Sequence, residues 1–268
     1  MGYLYFPGCT LKDESAAVME KAALLSAGKL GLELEEMEEW QCCGAVYPLT
    51  EDEIITLLSP SRTLFAARGE PVVTLCSACH HVLKRTRERL FLDKGTRDKI
   101  ISYLEDEYSF PGEMEVLHFL ELLRDKLGWE ALSQSVESPL QGRRMAAYYG
   151  CMLLRPEKEM TFDNPERPRI MEDYLQALGA EVVTYPFRNR CCGACLALTQ
   201  PGIVEDTSQK IVRMAASAGA EELTTACPLC HYNLEKTPEA REGKIKISYF
   251  SEPLAEALNL QVQEVAPK

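Results

Sequence analysis

Cysteine is the residue that offers this chain its chemistry, and ten of the eleven cysteines fall into two sets of five with one shared layout. In each set a lone cysteine precedes two adjacent cysteines and a glycine, and a Cys-x-x-Cys pair follows. The first set is Cys9, Cys42, Cys43, Cys76 and Cys79, and the second is Cys151, Cys191, Cys192, Cys227 and Cys230. The repeat predicts that the five thiols of each set converge on one site.

Thiolates are soft ligands that suit both zinc and iron, so the number and adjacency of the cysteines must decide between these metals. A structural zinc ion takes four ligands, whereas each set offers five. Side chains of neighbouring residues point apart on an extended backbone, so the adjacent cysteines reach two irons more easily than one ion. The glycine after them permits a tight turn whose N–H groups can face sulfide. Iron–sulfur ligation is therefore the better fit, with zinc in one half left open.

Covalent haem is a further alternative, because residues 76–80 and 227–231 both match the C-x-x-C-H signature. Covalent haem attachment normally accompanies export, and the N-terminus shows no export signal. Haem would also leave the lone and adjacent cysteines without a role. His80 and His231 are then hydrogen-bond donors near the site or ordinary helix residues.

A few other residues near the cysteines could take part in function. Cys195 aligns with Val46 of the first half, so we predict a small buried thiol near the site rather than a ligand. Arg188 and Arg190 could hold an anionic substrate or raise a cluster potential, or they could lie in a solvated loop. His118 stands in an apolar helical context that is typical of a core or boundary residue.

Short apolar strands alternate with helical patterns, and the order repeats in the second half of the chain. This pattern predicts an α/β fold of two tandem domains, each with a short parallel sheet flanked by helices, related by a pseudo-twofold axis. Ligands collect at the carboxyl ends of such strands. Cys9, Cys76, Cys151 and Cys227 are all predicted to lie there.

The domain boundaries follow from the repeat. We expect an N-terminal domain at residues 1–135 and a C-terminal domain at residues 143–268. The linker, at about 133–143, is rich in Ser, Gln and Gly and contains Pro139. The halves differ mainly by an insertion at about 87–111 that includes a charged helical segment.

The formal net charge of −12 argues against nucleic acid or an anionic membrane surface as the main partner. There is no apolar stretch of about 18 residues that would predict insertion into a membrane. These features predict a soluble, cytoplasmic protein. In a reducing compartment, eleven thiols indicate metal or redox chemistry rather than disulfides.

The doubled Cys…Cys-Cys-Gly…Cys-x-x-Cys pattern resembles the cysteine-rich CCG-domain family, in particular its group of B-type subunits of heterodisulfide reductase. The resemblance covers nearly the whole chain. It implies that each five-cysteine set named above holds a non-cubane [4Fe-4S] cluster. It also implies two partners within an electron-bifurcating complex, namely a small ferredoxin-like [4Fe-4S] protein and a large flavin-containing one.

The reaction that the resemblance implies is reduction of the CoM-S-S-CoB heterodisulfide or another small disulfide at the paired clusters. Each cluster would address one sulfur of the disulfide. A non-catalytic electron relay within a similar complex, with another acceptor, is the alternative.

Overall fold

The computed structural model describes residues 2–45, 53–104 and 108–262, and in this part of the chain the strands form two four-stranded parallel sheets. The strands of the first sheet are β1 (Tyr3–Phe6), β2 (Leu34–Glu36), β3 (Val72–Thr74) and β4 (Val116–His118). Those of the second are β5 (Arg144–Tyr148), β6 (Glu181–Val182), β7 (Glu222–Thr225) and β8 (Lys246–Tyr249). The spatial orders β2-β1-β3-β4 and β6-β5-β7-β8 match strand for strand. The predicted doubled α/β fold is confirmed.

Helices connect the strands and flank both sheets. In the first half they are α1 (Ala17–Lys29), α2 (Glu53–Ala66), α3 (Ser77–Leu92), α4 (Lys94–Tyr103), α5 (Phe119–Leu122) and α6 (Trp129–Gln134), with a π-helical turn at Leu123–Leu127. In the second half they are α7 (Glu157–Met160), α8 (Ile170–Ala177), α9 (Pro201–Ser217), α10 (Pro228–Glu235), α11 (Pro238–Arg241) and α12 (Ser251–Ala257). The charged helix predicted inside the insertion is α4.

The central strands are buried on both faces, and β3 is accordingly apolar, whereas β7 (Glu-Leu-Thr-Thr) buries polar residues as well. Val72 and Val73 of β3 are buried, and they pair with Leu4 and Tyr5 of β1. In the second sheet β5 and β7 pair in the same way, with Ala147 opposite Thr224. All the strands of a sheet run in one direction, so their carboxyl ends meet at one edge.

The two halves do not have separate cores. One hydrophobic cluster contains Tyr5 and Tyr249, and a second contains Phe6 and Tyr148. The region expected to link the halves packs on the second half, since the backbone N–H groups of residues 137 and 138 both donate to the Ala257 carbonyl at 2.9 Å. The two sheets are thus held against each other by shared apolar packing.

Several predicted element bounds need correction. The helix predicted from residue 167 begins at Ile170, because the Asp163 carboxylate accepts from the N–H groups of Arg169 and Ile170. The strand predicted over residues 181–185 has only two residues, Glu181–Val182. The helix predicted from about residue 52 is seen from Glu53, since residue 52 lies outside the described residues.

Candidate metal centre

Four of the predicted cysteines lie just beyond the carboxyl ends of central strands. Cys9 and Cys151 come three residues after β1 and β5, and Cys76 and Cys227 come two residues after β3 and β7. These positions follow from the topology, because central parallel strands of a sheet deliver their following residues to one edge.

Glycines at the turns allow the backbone to approach a sulfur closely. Gly8 has φ +71°, and a Cβ built on it would lie 2.8 Å from Cys79 Sγ. Gly150 has φ +66°, and its Cβ would lie 3.4 Å from Cys230 Sγ. Both turns need left-handed backbone that glycine adopts without strain. The first turn also has no room for a side chain.

The first set forms two close sulfur pairs. Cys9 Sγ lies 3.4 Å from Cys42 Sγ, and Cys43 Sγ lies 3.4 Å from Cys79 Sγ. Cys76 and Cys79 are close enough to shift each other's pKa. Cys9 and Cys42 are exposed and the other three are buried, and all are free thiols. The set therefore runs from the surface into the interior.

The second set repeats this arrangement. Cys192 Sγ lies 3.3 Å from Cys230 Sγ, and Cys151 and Cys191 are close enough to shift each other's pKa. Gly193, at φ +84°, donates its N–H to Cys191 Sγ at 3.2 Å. The predicted tight turn is present at Gly193, and its N–H faces a cysteine sulfur; that such N–H groups also face cluster sulfide stays a prediction.

The two sets approach each other in the interior at Cys76 and Cys227, whose thiols are close enough to shift each other's pKa. The buried sulfurs form a row in which each thiol influences the pKa of the next, in the order Cys43, Cys79, Cys76, Cys227, Cys230 and Cys192. Sequence reasoning predicted two facing sites but not this close approach between them.

The donor set fits a group with several irons. Several of the sulfurs lie in close pairs. Among the described residues, no three His, Cys, Asp or Glu side chains are close enough together to hold a single metal ion. Five thiols per half, with backbone N–H groups directed at sulfur, are the donors that iron–sulfur clusters use. We therefore keep iron ligation by these ten cysteines as a proposal.

Equivalent cysteines of the two sets differ in thiol acidity. The neighbouring Cys151 thiol, aided by the Gly193 N–H, lowers the pKa of Cys191 to about 6. Burial raises the pKa of Cys42 to about 11. Only the thiolate ligates metal, so Cys191 is a ready ligand at neutral pH, whereas Cys42 must release a proton on binding, as must Cys151, whose pKa is raised by its neighbour Cys191.

Buried ionisable groups lie behind the first set. His80 Nε2 is 3.3 Å from Glu121 Oε2, close enough for an ion pair although not aligned as a hydrogen bond. Lys84 Nζ lies 3.3 Å from the other Glu121 oxygen. Burial lowers the pKa of His80 and raises that of Glu121. Sequence reasoning missed Lys84 and Glu121.

His118 is buried as predicted, but it is not in a helix. It ends β4 and caps α5. Its Nδ1 accepts a hydrogen bond from the Leu120 N–H, and its backbone N–H donates to the Glu121 carboxylate. The signal for Glu121 was this spacing, because an acidic residue three positions after a cap completes a capping box.

The other predicted residues are placed as follows. Cys195 lies beside a small cavity among the second set, but it is exposed rather than buried, and its counterpart Val46 falls outside the described residues. Arg188 Nε lies 3.3 Å from Glu172 Oε1, and Arg190 stacks over the Phe187 ring. Both arginines therefore have a partner within the chain, and their positions require no bound anion to explain them.

A cavity of about 430 Å³ opens beside Cys43 and carries basic side chains. Its lining includes His81, Arg85 and Arg89, and it reaches Met152 of the second half. Each arginine also has a carboxylate partner, a glutamate of α7 for Arg85 and an aspartate one turn away for Arg89. The cavity offers cationic groups within reach of the first set.

Comparison with known proteins defines the class. The CCG family, described as a cysteine-rich domain, matches the chain twice, over residues 3–84 and 145–235. The chain therefore belongs to the CCG cysteine-rich domain family. Within that family it resembles the B-type subunits of heterodisulfide reductase.

Particular relatives cover almost the whole chain. It is 33% identical over 273 residues to the 8-methylmenaquinol:fumarate reductase membrane anchor subunit of Wolinella succinogenes, covering 98% of this chain and 94% of the relative. It is 27% identical over 274 residues to the B-type subunit of the ferredoxin/F(420)H(2)-dependent CoB-CoM heterodisulfide reductase of Methanosarcina acetivorans, covering 97% and 90%. These likenesses support an iron–sulfur, oxidoreductase-related subunit of a larger complex.

A solved structure of a hypothetical protein from Helicobacter pylori has the same fold, with a TM-score of 0.72 at 12% identity. The match covers 97% of this chain and 49% of that protein, and it concerns the fold alone. Within the described residues, no helix combines the length and apolarity needed to cross a bilayer.

Proposed function

We propose that this chain is the iron–sulfur subunit of a heterodisulfide reductase-type complex, and that its two five-cysteine sets work as a coupled pair. The observation that supports this most strongly is the close approach of Cys76 and Cys227, two buried thiols that shift each other's pKa between the two sets. Each set would hold one non-cubane [4Fe-4S] cluster. Such a group, when bound, supplies one-electron transfer at a potential that the protein adjusts.

Reduction of a small disulfide is the first candidate reaction. A disulfide accepts two electrons and two protons and yields two thiols, so two adjoining one-electron sites match its demand. Exposed Cys9, Cys42 and Cys191 bring both sets to the surface. The basic side chains near Cys43 favour an anionic thiol compound such as CoM-S-S-CoB, because arginine pairs well with sulfonate, phosphate and carboxylate groups.

Electron relay to another acceptor is the second candidate, and a specific comparison favours it. The relative with 33% identity belongs to an 8-methylmenaquinol:fumarate reductase, a name that includes no disulfide. In a relay, electrons would cross the sulfur row between two partner proteins. The partners expected for the reductase are a ferredoxin-like [4Fe-4S] protein and a flavin-containing one, and bifurcation would take place at the flavin.

One experiment separates the candidates. The chain is purified anaerobically with its native partners and reduced, and the visible iron–sulfur absorbance is followed after addition of a heterodisulfide, a quinone or fumarate. Release of two thiols per disulfide consumed, lost in a Cys76→Ser variant, supports the reductase. Reoxidation by fumarate or quinone without thiol release supports the relay. Absence of any iron–sulfur absorbance overturns both.

A further inference from the structure

Cys76 and Cys227, where the two sets approach each other, are called here the junction cysteines. A buried backbone carbonyl lies directly before each of them. Leu75 precedes Cys76, and Ala226 precedes Cys227. Ser77, from the first half, donates both its backbone N–H and its hydroxyl to the Ala226 carbonyl of the second half, at 3.1 Å and 2.7 Å. Both residues are buried, so these bonds tie one half to the other beside the sulfurs.

The equivalent bond, from position 228 of the second half to the Leu75 carbonyl of the first half, cannot form. Pro228 occupies the position equivalent to Ser77, and proline has neither an N–H nor a hydroxyl to donate. Proline suits the first turn of α10, where its missing N–H is needed by no helical partner. The Leu75 carbonyl therefore needs a donor from elsewhere.

Tyr249 supplies that donor. Its hydroxyl, from the end of β8 in the second half, donates to the Leu75 carbonyl. His118 ends the equivalent strand, β4, and its Nε2 lies 3.0 Å from the same oxygen. His118 Nδ1 accepts from the Leu120 N–H, so Nε2 carries the proton and donates. Both rings are fully buried.

We propose that Tyr249 is a positioning residue that replaces the bond lost at Pro228, and that with Ser77 it sets the spacing between Cys76 and Cys227. Tyr249 of the second half fixes the residue before Cys76, and Ser77 of the first half fixes the residue before Cys227 with two bonds, so each half holds the cysteine of the other half in place. This deepens the proposed function, because it rests on the two sets acting as a pair, and it assigns residues to their coupling.

Tyr249→Phe is the test variant, because it keeps the ring and removes only the hydroxyl. Tyr174→Phe is the matched control, since Tyr174 is also fully buried and donates to a backbone carbonyl, that of Phe250, at 2.5 Å. The first readout is the magnetic coupling between the two reduced clusters, measured by pulsed electron paramagnetic resonance on protein of equal iron content. The second is the yield of the Cys76–Cys227 disulfide when the metal-free chain is mildly oxidised, measured by peptide mass spectrometry.

Tyr249→Phe should lower both the coupling and the disulfide yield by about twofold or more, because a misplacement of about 1 Å already impairs a positioned site. Tyr174→Phe should leave both unchanged. If Tyr249→Phe does not fold, Ser77→Ala, which removes the hydroxyl on the opposite bond, carries the same expectation. Values equal to wild type in the folded variant overturn the proposal. Wild-type protein without iron overturns the proposed function, while the disulfide yield still tests the positioning role.

Discussion

Backbone N–H groups reach a sulfur in both halves, from Gly44 to Cys42 and from Gly193 to Cys191. The first half has the Thr10 hydroxyl 3.9 Å from the exposed Cys9 sulfur, whereas the second half has a buried side-chain amide at a buried sulfur. Asn233 Nδ2 lies 3.7 Å from Cys192 Sγ. The residue of the first half that is equivalent to this asparagine is a valine, at position 82, which has nothing to donate. Donors to sulfur favour the more negative, reduced state of a cluster, so the second site should be the easier one to reduce.

The halves also differ in their ionisable groups. Three of the four histidines, His80, His81 and His118, lie in the first half, and burial lowers the pKa of each. His118 has Tyr249 as its counterpart, which carries no charge in the same pH range. The duplication thus preserved the ligands and changed their surroundings, so the two sites need not share one potential or one response to acid.

The largest expected contrast comes from the turn glycines. In Gly8→Ala the new Cβ would lie 2.8 Å from Cys79 Sγ, so the sulfur must move, whereas in Gly150→Ala the distance to Cys230 Sγ is 3.4 Å. Both variants carry the left-handed backbone strain of about 1–2 kcal/mol. We expect Gly8→Ala to lose about half of the iron and Gly150→Ala to lose much less. Iron per chain, measured on folded protein, checks this, and equal losses would contradict the predicted difference.

Lowering the pH should destabilise the folded chain mainly through the buried histidines of the first half. Burial lowers the pKa of His118 from its ordinary value of 6.5 to about 4, so the folded state favours the neutral ring. The stabilisation is complete above pH 6.5 and is lost as pH falls toward 4, by roughly 2 kcal/mol at pH 5.

Urea unfolding of the metal-free chain at pH 7 and pH 5 measures this loss. His118→Gln, which cannot become charged, should lose less stability than wild type over this range. His231→Gln in the second half is the control. It should reduce the loss of stability at pH 5 by a smaller amount, because the Glu235 charge partly offsets the lowering of the His231 pKa by burial. An identical pH dependence in wild type and His118→Gln would refute the assignment.

A smaller effect is expected from the amide at Cys192. Asn233→Val copies the first half and removes one donor worth roughly 0.5–1.5 kcal/mol, which is about 20–60 mV for one electron. The second cluster's potential should fall by this amount while the first stays constant. Val82→Asn is the reciprocal variant and should raise the first potential. Redox titration followed by electron paramagnetic resonance measures both, and a change at the wrong cluster would refute the comparison.

The smallest effect is predicted for Cys195. It lies beside the second set but has only Val46 as its counterpart, so we expect Cys195→Ser to keep the full iron content. Metal analysis with spectra of the reduced protein checks this. Loss of iron in this variant would make Cys195 a ligand and the two sets unequal in number.

Much of this arrangement could be predicted from the sequence. Alternation of apolar strands with helices, repeated around the cysteines, was enough to predict the doubled parallel sheets and the placing of Cys9 and Cys76 at strand ends. Cysteine spacing predicts five thiols per half, and in the structure three pairs of these sulfurs lie within 3.4 Å of each other. These signals are local, because each depends on residues near one another in the chain or on one sheet edge.

The junction could not be predicted in the same way. The close approach of Cys76 and Cys227 depends on how the two sheets pack against each other, which apolar periodicity does not specify. The exchange of Ser77 for Pro228 is plain in the sequence, but its consequence is visible only in the structure, where a tyrosine of β8 reaches the Leu75 carbonyl.

Glu121 was missed for a different reason, because a carboxylate is rarely buried. Its pairing with Lys84 and its bond to the His118 N–H make the burial tolerable. Both partners depend on the packing of α3 against β4, which the sequence pattern does not specify.

The central claim is that each five-cysteine set holds several irons, and metal analysis tests it most directly. The measurement is the iron and acid-labile sulfide content of the anaerobically purified wild-type chain. Two four-iron clusters predict about eight of each per chain. One or two zinc ions per chain, with no acid-labile sulfide, would contradict the account.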